Sequence, residues 1–447
     1  MEKYNKQMVL FTEISGKKVA ADFNGGEITS DAGLLFLRET EKKVGIIDRI
    51  TEVIYDKRHA GYIKHTLHQI ISQRVYQIAA GYEDGNDCTT LRTDPSIKAT
   101  CDELPLTGSD LSSQPTVSRF ENYPSRTMLY RIGLAFVDSF IDSYTRQPTG
   151  IILDFDDTDD PTHGHQQMSL FNGYHDCTCY MPLHVYEGQS GKLITTILRP
   201  GKRPSSQEII GYLKRIVKRI RASWSSAGII YRGDSHYGGP EVYQYCTEHT
   251  IKFVTGLSAN NRLLQRAASL MNKAKELFDM KKTSITLFGE FSYQADSWPR
   301  PYRVIVKAEY NHKGPNTRFI VTNITGSTPR FLYQTIYSGR GTMEQFIKDH
   351  KTHLASDRTS CPRFEANQMR LFLHSAAYVL LHAFRSISLR ATEFAHAQFD
   401  TIRLKILKVG ARVRELVTCV KFHLPSSFPL KELFFKLGET CQASYFT

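Results

Sequence analysis

The pattern of apolar and polar residues changes once along the chain. Apolar residues recur at helical spacing over 65–84 and, as two helices, over 111–144. A further helix, capped by Ser30 or Asp31, is predicted before them. These patterns predict a helical N-terminal region over residues 1–147.

Short apolar runs typical of strands begin at residue 148. "GIILDF", "CYMPLHVYEG" and "KLITTILRPG" predict three strands, and an amphipathic helix over 205–224 separates them from two more. Strands that are adjacent along the chain and then alternate with helices indicate a mixed α/β sheet flanked by helices. Three further candidate strands make residues 257–330 β-rich, and two helices, 342–354 and 364–390, are predicted after them.

Charge adds information that the apolar pattern does not contain. The 447 residues carry a net charge of +12, which favours an anionic partner such as nucleic acid over a neutral one. The sequence shows no apolar run long enough for a membrane span and no secretory signal, so we expect a cytoplasmic protein with no membrane partner. A basic protein without any such partner remains the alternative.

Aspartates gather at the end of one apolar strand, in "IILDFDDTDD" (151–160). Side chains alternate across a sheet, so Asp154 and Asp156 share one face and Asp157 lies on the other. Asp234 in "IIYRGDSHYG" also ends an apolar strand, and two strand-end carboxylates supply the oxygen ligands that Mg²⁺ prefers. The alternative is that these aspartates cap helices or lie in solvated turns, which is the simplest interpretation of Asp159 and Asp160.

A third charged group lies in "YSGRGTMEQFIKDHK". If Thr342 opens a helix, Glu344 and Lys351 lie two turns apart on one face, with Lys348 between them. A carboxylate beside cations suits a site for metal and phosphate, but it also suits a simple ion pair.

Tyr337, Arg340, Glu344 and Lys351 match the Y-R-E-K signature of the IS4-related DDE transposases. The stretches "GGEITSDAGLLFLRE", "QPTVSRFEN", "LDFDDTDDPTHGHQ", "YMPLHVYEG", "LRPG", "IYRGDSHYG" and "RTSCPRFEANQMRLFLHSAAYVLL" resemble the IS1380-type branch of that family. The resemblance runs from about residue 20 to about residue 435.

The resemblance implies an α/β fold with an RNase H-like catalytic core. The core would occupy 148–256 and 331–395, interrupted by a β-rich insertion domain at 257–330. Residues 1–147 would be a helical region that binds DNA ends, and 396–447 a C-terminal region. The implied catalytic and metal-binding triad is Asp156, Asp234 and Glu344. The D-x-T match with Thr158 favours Asp156, and Asp157 is the alternative.

The resemblance also implies a cut-and-paste reaction. Mg²⁺ ions, or Mn²⁺ in their place, would be held by the triad while water and then a 3′-OH attack phosphodiesters. The DNA partners would be the element's terminal inverted repeats and the target, bound by at least a dimer on the bacterial nucleoid. The candidate DNA-binding residues are Tyr337, Arg340, Lys348, Lys351, Trp298, Arg199, Lys202 and Arg203.

The sequence leaves several alternatives open. Trp298 is a candidate for base stacking or for strand packing. The histidines and cysteines of 163–179 do not have the spacing of a zinc finger. The rival functions are a metal-dependent nuclease without strand transfer and a transposase-derived DNA-binding protein.

Overall fold

The computed structural model describes residues 8–443. The α-helices are α1 (Leu34–Val44), α2 (Ile46–Glu52), α3 (Leu67–Ala80), α4 (Asp87–Leu91), α5 (Pro95–Thr100), α6 (Gln114–Glu121), α7 (Arg126–Asp142), α8 (Ser206–Ser223), α9 (Pro240–Glu248), α10 (Asn261–Lys281), α11 (Pro329–Phe331), α12 (Gly341–Lys348), α13 (Phe364–Ala383), α14 (Phe399–Ile402) and α15 (Lys431–Ala443). The strands are β1 (Val9–Ile14), β2 (Lys17–Ala21), β3 (Ile28–Thr29), β4 (Gly150–Asp157), β5 (Asp160–Pro161), β6 (Leu170–Asn172), β7 (Cys177–Tyr180), β8 (Leu183–Glu187), β9 (Leu193–Ile197), β10 (Gly228–Gly233), β11 (Lys252–Leu257), β12 (Ile285–Tyr293), β13 (Tyr302–Asn311), β14 (Gly314–Thr322), β15 (Ala411–Glu415) and β16 (Val420–His423).

An eight-stranded mixed sheet in the order β12-β13-β14-β11-β10-β4-β8-β9 forms the centre of the molecule. β4 runs parallel to β10, and β10 runs parallel to β11. On the other side of β4, strands β8 and β9 follow in antiparallel order. β4 and β8 are buried along nearly their whole length, which explains their apolar sequences. The predicted mixed α/β architecture is confirmed.

The β-rich region at 257–330 continues this central sheet. β12, β13 and β14 form an antiparallel meander, and β14 pairs with β11 through Val254 and Thr322. Helix α10 packs on β12 and β13. The three strands were correctly predicted from their sequences, but they share the sheet of the core and do not form one of their own.

Most of the N-terminal third is helical, as predicted, and it packs around α13. This helix is buried on nearly all sides, and α1, α2, α3, α6 and α7 contact it. The predicted cap at Ser30 or Asp31 is wrong, because α1 begins at Leu34 after Gly33. The Asp31 carboxylate is instead buried and accepts hydrogen bonds from the Lys408 ammonium and the Tyr82 hydroxyl.

Residues 329–353 form one nearly continuous helical segment with two π-helical parts. α11 leads into a π-helix (Leu332–Tyr337), a 3₁₀ turn (Ser338–Arg340), α12 and a second π-helix (Asp349–His353). Thr342 therefore does not open a helix. Lys351 lies in the second π-helix, whose wider turn shifts side chains relative to an α-helix. The expected alignment of Glu344 and Lys351 on one α-helical face no longer holds.

Among residues 8–443, no helix is both long and apolar enough to cross a membrane.

Candidate active site

Strand register brings two pairs of charged residues together across β4 and β10. Asp154 lies opposite Arg232, and Phe155 lies opposite Gly233, so Asp156 and Asp234 are the next facing positions. Because side chains alternate along a strand, both pairs occupy the same face of the sheet. The two candidate ligands therefore meet at the carboxyl edge of neighbouring parallel strands, where sites of α/β sheets usually form.

Asp154 is held in a buried ion pair. Both of its carboxylate oxygens accept hydrogen bonds from the Arg232 guanidinium, and neither side chain is more than 2% exposed. Arg232 also donates to the carbonyl of Ile336, which lies on the helical segment that follows the sheet. Asp154 thus has a structural partner and links the sheet to that segment.

Asp157 also has partners of its own, on the opposite face. Its Oδ2 lies 3.2 Å from Nη1 of Arg199 and accepts a hydrogen bond of 2.8 Å from the Tyr237 hydroxyl. Burial raises the pKa of Asp157, against the effect of these two partners. Its contacts are those of a side chain that braces the strand, which leaves Asp156 as the better candidate ligand.

Asp156 lies beside one cation and one other carboxylate. Nη2 of Arg340 is 3.2 Å from its Oδ2, and the side chain is largely buried. Burial raises the pKa of Asp156 to about 7, the Arg340 charge opposes this, and the negative charge of Asp234 reinforces it. A divalent cation would offset the repulsion between the two carboxylates, so this donor pair fits a metal such as Mg²⁺.

Asp234 begins the 3₁₀ turn Ser235–Tyr237. Its Oδ1 accepts hydrogen bonds from the backbone nitrogens of His236 and Tyr237, at 2.8 and 3.3 Å. Arg203 donates to the carbonyl of Ser235 at 2.9 Å, so an exposed cation borders this turn. Lys202 is exposed beside it in sequence.

Tyr337 lies beside the turn that carries Asp234. The Tyr337 and Arg340 side chains interact. A Cβ atom on Gly256 would lie 2.9 Å from the Tyr337 hydroxyl and 2.9 Å from the Ser235 nitrogen. Glycine at this position of β11 therefore allows Tyr337 to approach the turn that carries Asp234.

Glu344 is exposed on α12, one turn after Arg340, and is not bonded to Asp156 or Asp234. Within residues 8–443, no three acidic, histidine or cysteine side chains are arranged to hold a metal ion. Lys348 is also exposed. Nζ of Lys351 donates to the hydroxyl of Thr158 at 3.3 Å and to the carboxylate of Asp159 at 3.0 Å. The structure thus brings together two of the three predicted acids.

Two of the predicted DNA-binding residues are buried. Arg199 is 1% exposed, because it pairs with Asp157 and donates to the carbonyls of Met181 and Lys202. It is part of the protein interior and not of a DNA-facing surface. Trp298 is 7% exposed. It packs edge-on against a cluster of tyrosines: Tyr243, Tyr293 and Tyr302. In this structure it is a packing residue, and its ring is not available for base stacking.

The expectation that Asp159 and Asp160 form a solvated turn is also wrong. Asp160 is fully buried, and neither carboxylate oxygen has a hydrogen-bond partner among the described residues. Burial raises its pKa well above the usual range, against the effect of Lys351. Asp159 accepts from Lys351 through both its carbonyl and its carboxylate.

Three neighbours of the site were missed from the sequence. Arg232 stabilises Asp154 and Tyr237 stabilises Asp157, while His184 lies directly opposite Asp156 on β8. His184 is fully buried, and burial lowers its pKa to about 3. The one available signal was Arg232, since an arginine within an apolar strand requires a buried anionic partner.

Asp156 predicts a pH dependence of stability in the metal-free protein. Its folded pKa, about 7, lies above its usual value, so between about pH 4 and 7 the folded state keeps a proton that the unfolded chain has released. The contribution of Asp156 to the free energy of unfolding therefore falls as the pH rises through this window. Compared with wild type, Asp156→Asn should be equally stable at pH 4 and more stable at pH 8, by up to about 4 kcal/mol. Urea denaturation across this range measures the difference, and parallel curves for the two proteins would contradict it.

Paired carboxylates beside an arginine, at the carboxyl edge of a mixed sheet, are suited to metal-assisted phosphodiester chemistry. The chain matches the family model Transposase DDE domain group 1 over residues 11–444, and it belongs to this family of DDE transposases. One matching solved structure is a cryo-EM structure of a piggyBac transposase synaptic complex with hairpin DNA. It is 12% identical over 85% of this chain and 80% of that chain, with a TM-score of 0.44. No curated protein sequence matches the chain.

Proposed function

We propose that this DDE transposase is of the IS1380 type and moves its element by a cut-and-paste reaction. It cuts the DNA at the ends of an insertion sequence and joins the freed 3′-OH ends to target DNA, with Mg²⁺ or Mn²⁺ as the cofactor. The observation that carries this proposal is the meeting of Asp156 and Asp234 at the carboxyl ends of adjacent parallel strands, with Arg340 paired to Asp156.

Strand order supports an RNase H-like core. Counting β4 as the first strand of the core, β8, β9, β10 and β11 follow, and their order in the sheet is 3-2-1-4-5. Asp156 then ends the first strand and Asp234 follows the fourth. These are the positions that the resemblance to IS4-related transposases implies for the first two acids of the triad.

We propose that Glu344 completes the triad when metal and DNA bind. It lies four residues, about one turn, after Arg340, which contacts Asp156, so a shift of this helical segment would move the carboxylate towards the other two. Divalent ions bound there would stabilise negative charge on the attacking and leaving oxygens of the phosphodiester.

The cations around the triad would hold the DNA backbone. Arg340 would exchange Asp156 for a phosphate, to which its planar guanidinium offers several donors. Tyr337 and Lys351 would contact phosphates near the scissile bond, and Lys348, Lys202 and Arg203 would contact the flanking strand. Both ends of the element must be held together, so we propose a dimer on double-stranded DNA, acting in the bacterial nucleoid.

Glu344→Gln is expected to reduce metal-dependent cleavage by about a thousandfold or more, because the amide lacks the charge that the third ligand supplies. Binding of end DNA and the free energy of unfolding should stay near the wild-type values, since the side chain is exposed. The measurement is cleavage of labelled end DNA in Mg²⁺. Gln345→Ala, a change at the exposed neighbouring position, is the matched control. Cleavage at the wild-type rate by Glu344→Gln would remove this residue from the triad.

Joining separates a transposase from a nuclease that only cuts. A DNA duplex that already ends in the element's 3′-OH needs no first cut, so its transfer to a target plasmid reports the second step alone. The proposal predicts joined product in Mg²⁺ and none in EDTA. Cleavage of intact ends without joining of the pre-cut ends would show a nuclease, and tight binding without either product would show a DNA-binding protein.

A further inference from the structure

A groove with basic walls lies between α7 and α8, away from the carboxylates. Its volume is about 490 Å³. Tyr130 and Leu134 line it from α7, and Lys214, Arg215, Lys218 and Arg219 line it from α8. The four cations recur at i, i+1, i+4 and i+5, so they form one stripe along α8, beside the stripe that packs on the sheet.

Most of this positive charge is available to a ligand. Arg219 donates two hydrogen bonds to the Asp138 carboxylate, one of them 2.8 Å long. Arg215 donates to the Gly211 carbonyl at 2.7 Å. Lys214 and Lys218 are exposed and have no ion-pair partner within residues 8–443. In the part of the chain that the structure describes, no acidic side chain lines the groove, and half of the Tyr130 surface is exposed at its edge.

The groove extends away from the candidate active site. α8 begins just after Arg203, which contacts the turn that carries Asp234, and the side chain of Ser205 caps the helix. With a rise of about 1.5 Å per residue, Lys214 lies roughly 14 Å and Lys218 roughly 20 Å along the axis from that cap. α8 packs on the face of β4 that carries Ile151, Leu153 and Phe155, opposite the face of Asp156. A duplex at the site would therefore reach these side chains by passing the carboxyl edge of the sheet and following the outer side of α8.

We propose that the α7/α8 groove binds the phosphate backbone of the duplex DNA that extends from the cleavage site. Lys214 and Lys218 are separated by one turn, about 6 Å, which corresponds to roughly two phosphates of one strand along the duplex axis. Arg215 supplies a third cation, and Tyr130 gives the groove an amphipathic edge that a sugar-phosphate chain can lie against. This inference rests on the proposed function, and it adds a DNA contact outside the Y-R-E-K segment.

The test is the salt dependence of DNA affinity for the double variant Lys214→Gln/Lys218→Gln. Each phosphate contact contributes about one unit to the slope of log K against log salt concentration. The double variant should therefore make this negative slope less steep, by about 2 units, and raise Kd about tenfold near 0.15 M salt. Affinity is measured in EDTA on a duplex that contains one element end and its flank. Lys273→Gln/Lys275→Gln, which removes two exposed lysines from α10, is the charge-matched control and should not change the slope.

An unchanged slope in the Lys214→Gln/Lys218→Gln protein would overturn the inference, and so would an equal change in the control. An unchanged slope together with a shift in oligomeric state would mean that the groove contacts a second copy and not DNA. Because affinity is measured without metal, the result is independent of catalysis. Failure of wild type to cut in Mg²⁺ would contradict the proposed function. The change in salt dependence would still show whether the groove binds DNA.

Discussion

Asp156→Asn is expected to reduce metal-dependent DNA cleavage by about a thousandfold or more, while the protein remains folded and binds end DNA. Asp156 lies beside Asp234 and is ion-paired with Arg340, so its carboxylate can leave the guanidinium and bind a metal ion instead. An asparagine keeps the shape of the side chain but lacks that charge. Cleavage of labelled end DNA in Mg²⁺, with binding measured in parallel, gives the result.

Asp157→Asn is the matched control for this variant, because it changes the adjacent residue on the other face of β4. Asp157 pairs with Arg199 and Tyr237, so its substitution should lower the free energy of unfolding and affect cleavage mainly through stability. Assays are run below the unfolding temperature of both variants. If Asp157→Asn eliminated cleavage in a folded protein while Asp156→Asn retained it, the two assignments would have to be exchanged.

Asp154→Asn is expected to lower the free energy of unfolding by about 3–5 kcal/mol, the largest effect on stability that we predict. The substitution leaves the Arg232 guanidinium buried without its anionic partner. It also weakens the link from Arg232 to the carbonyl of Ile336, so the helical segment that carries Tyr337 and Arg340 should become less ordered. Urea denaturation measures the stability.

The double variant Asp154→Leu/Arg232→Met shows whether the loss comes from the unpaired charge. Replacing both partners with apolar residues of similar size removes the buried charge altogether. We expect the double variant to be more stable than Asp154→Asn, with a coupling energy of a few kcal/mol between the two positions. A loss below about 1 kcal/mol for Asp154→Asn would mean that the pair contributes little to stability.

The strand-end aspartates could be predicted from the sequence, but their individual environments could not. Alternation along "IILDFDD" correctly separates Asp154 and Asp156 from Asp157. The difference between Asp154 and Asp156 depends on the register of β4 against β10, a strand more than seventy residues further along the chain. Other long-range pairings, of β4 with β8 and of β8 with β9, explain why Arg199, in a basic stretch, is buried beside Asp157.

The segment that carries Glu344 shows a second limit. Its helical periodicity and its Y-R-E-K spacing are evident in the sequence, yet the two π-helical parts are not. A π-helix has about one residue more per turn than an α-helix, so the two π-helical parts change the directions of Tyr337 and Lys351 relative to α12. Arg340 lies beside Asp156 and Tyr337 lies beside the turn that carries Asp234, while Glu344 is exposed. For Trp298 the sequence leaves base stacking and strand packing open, and its contact with Tyr243 of α9, more than fifty residues earlier, is visible only in the fold.

The central claim is that Asp156, Asp234 and Glu344 together support metal-dependent cutting and joining of DNA. The most direct measurement follows both steps in one reaction, with DNA that carries the two inverted ends of the element, a target plasmid, and either Mg²⁺ or EDTA. We predict that wild type cuts and joins in Mg²⁺ and does neither in EDTA. Asp156→Asn, Asp234→Asn and Glu344→Gln should each bind the ends and form neither product. Cleavage by wild type in EDTA, or joined product from any of the three variants at the wild-type rate, would contradict the claim.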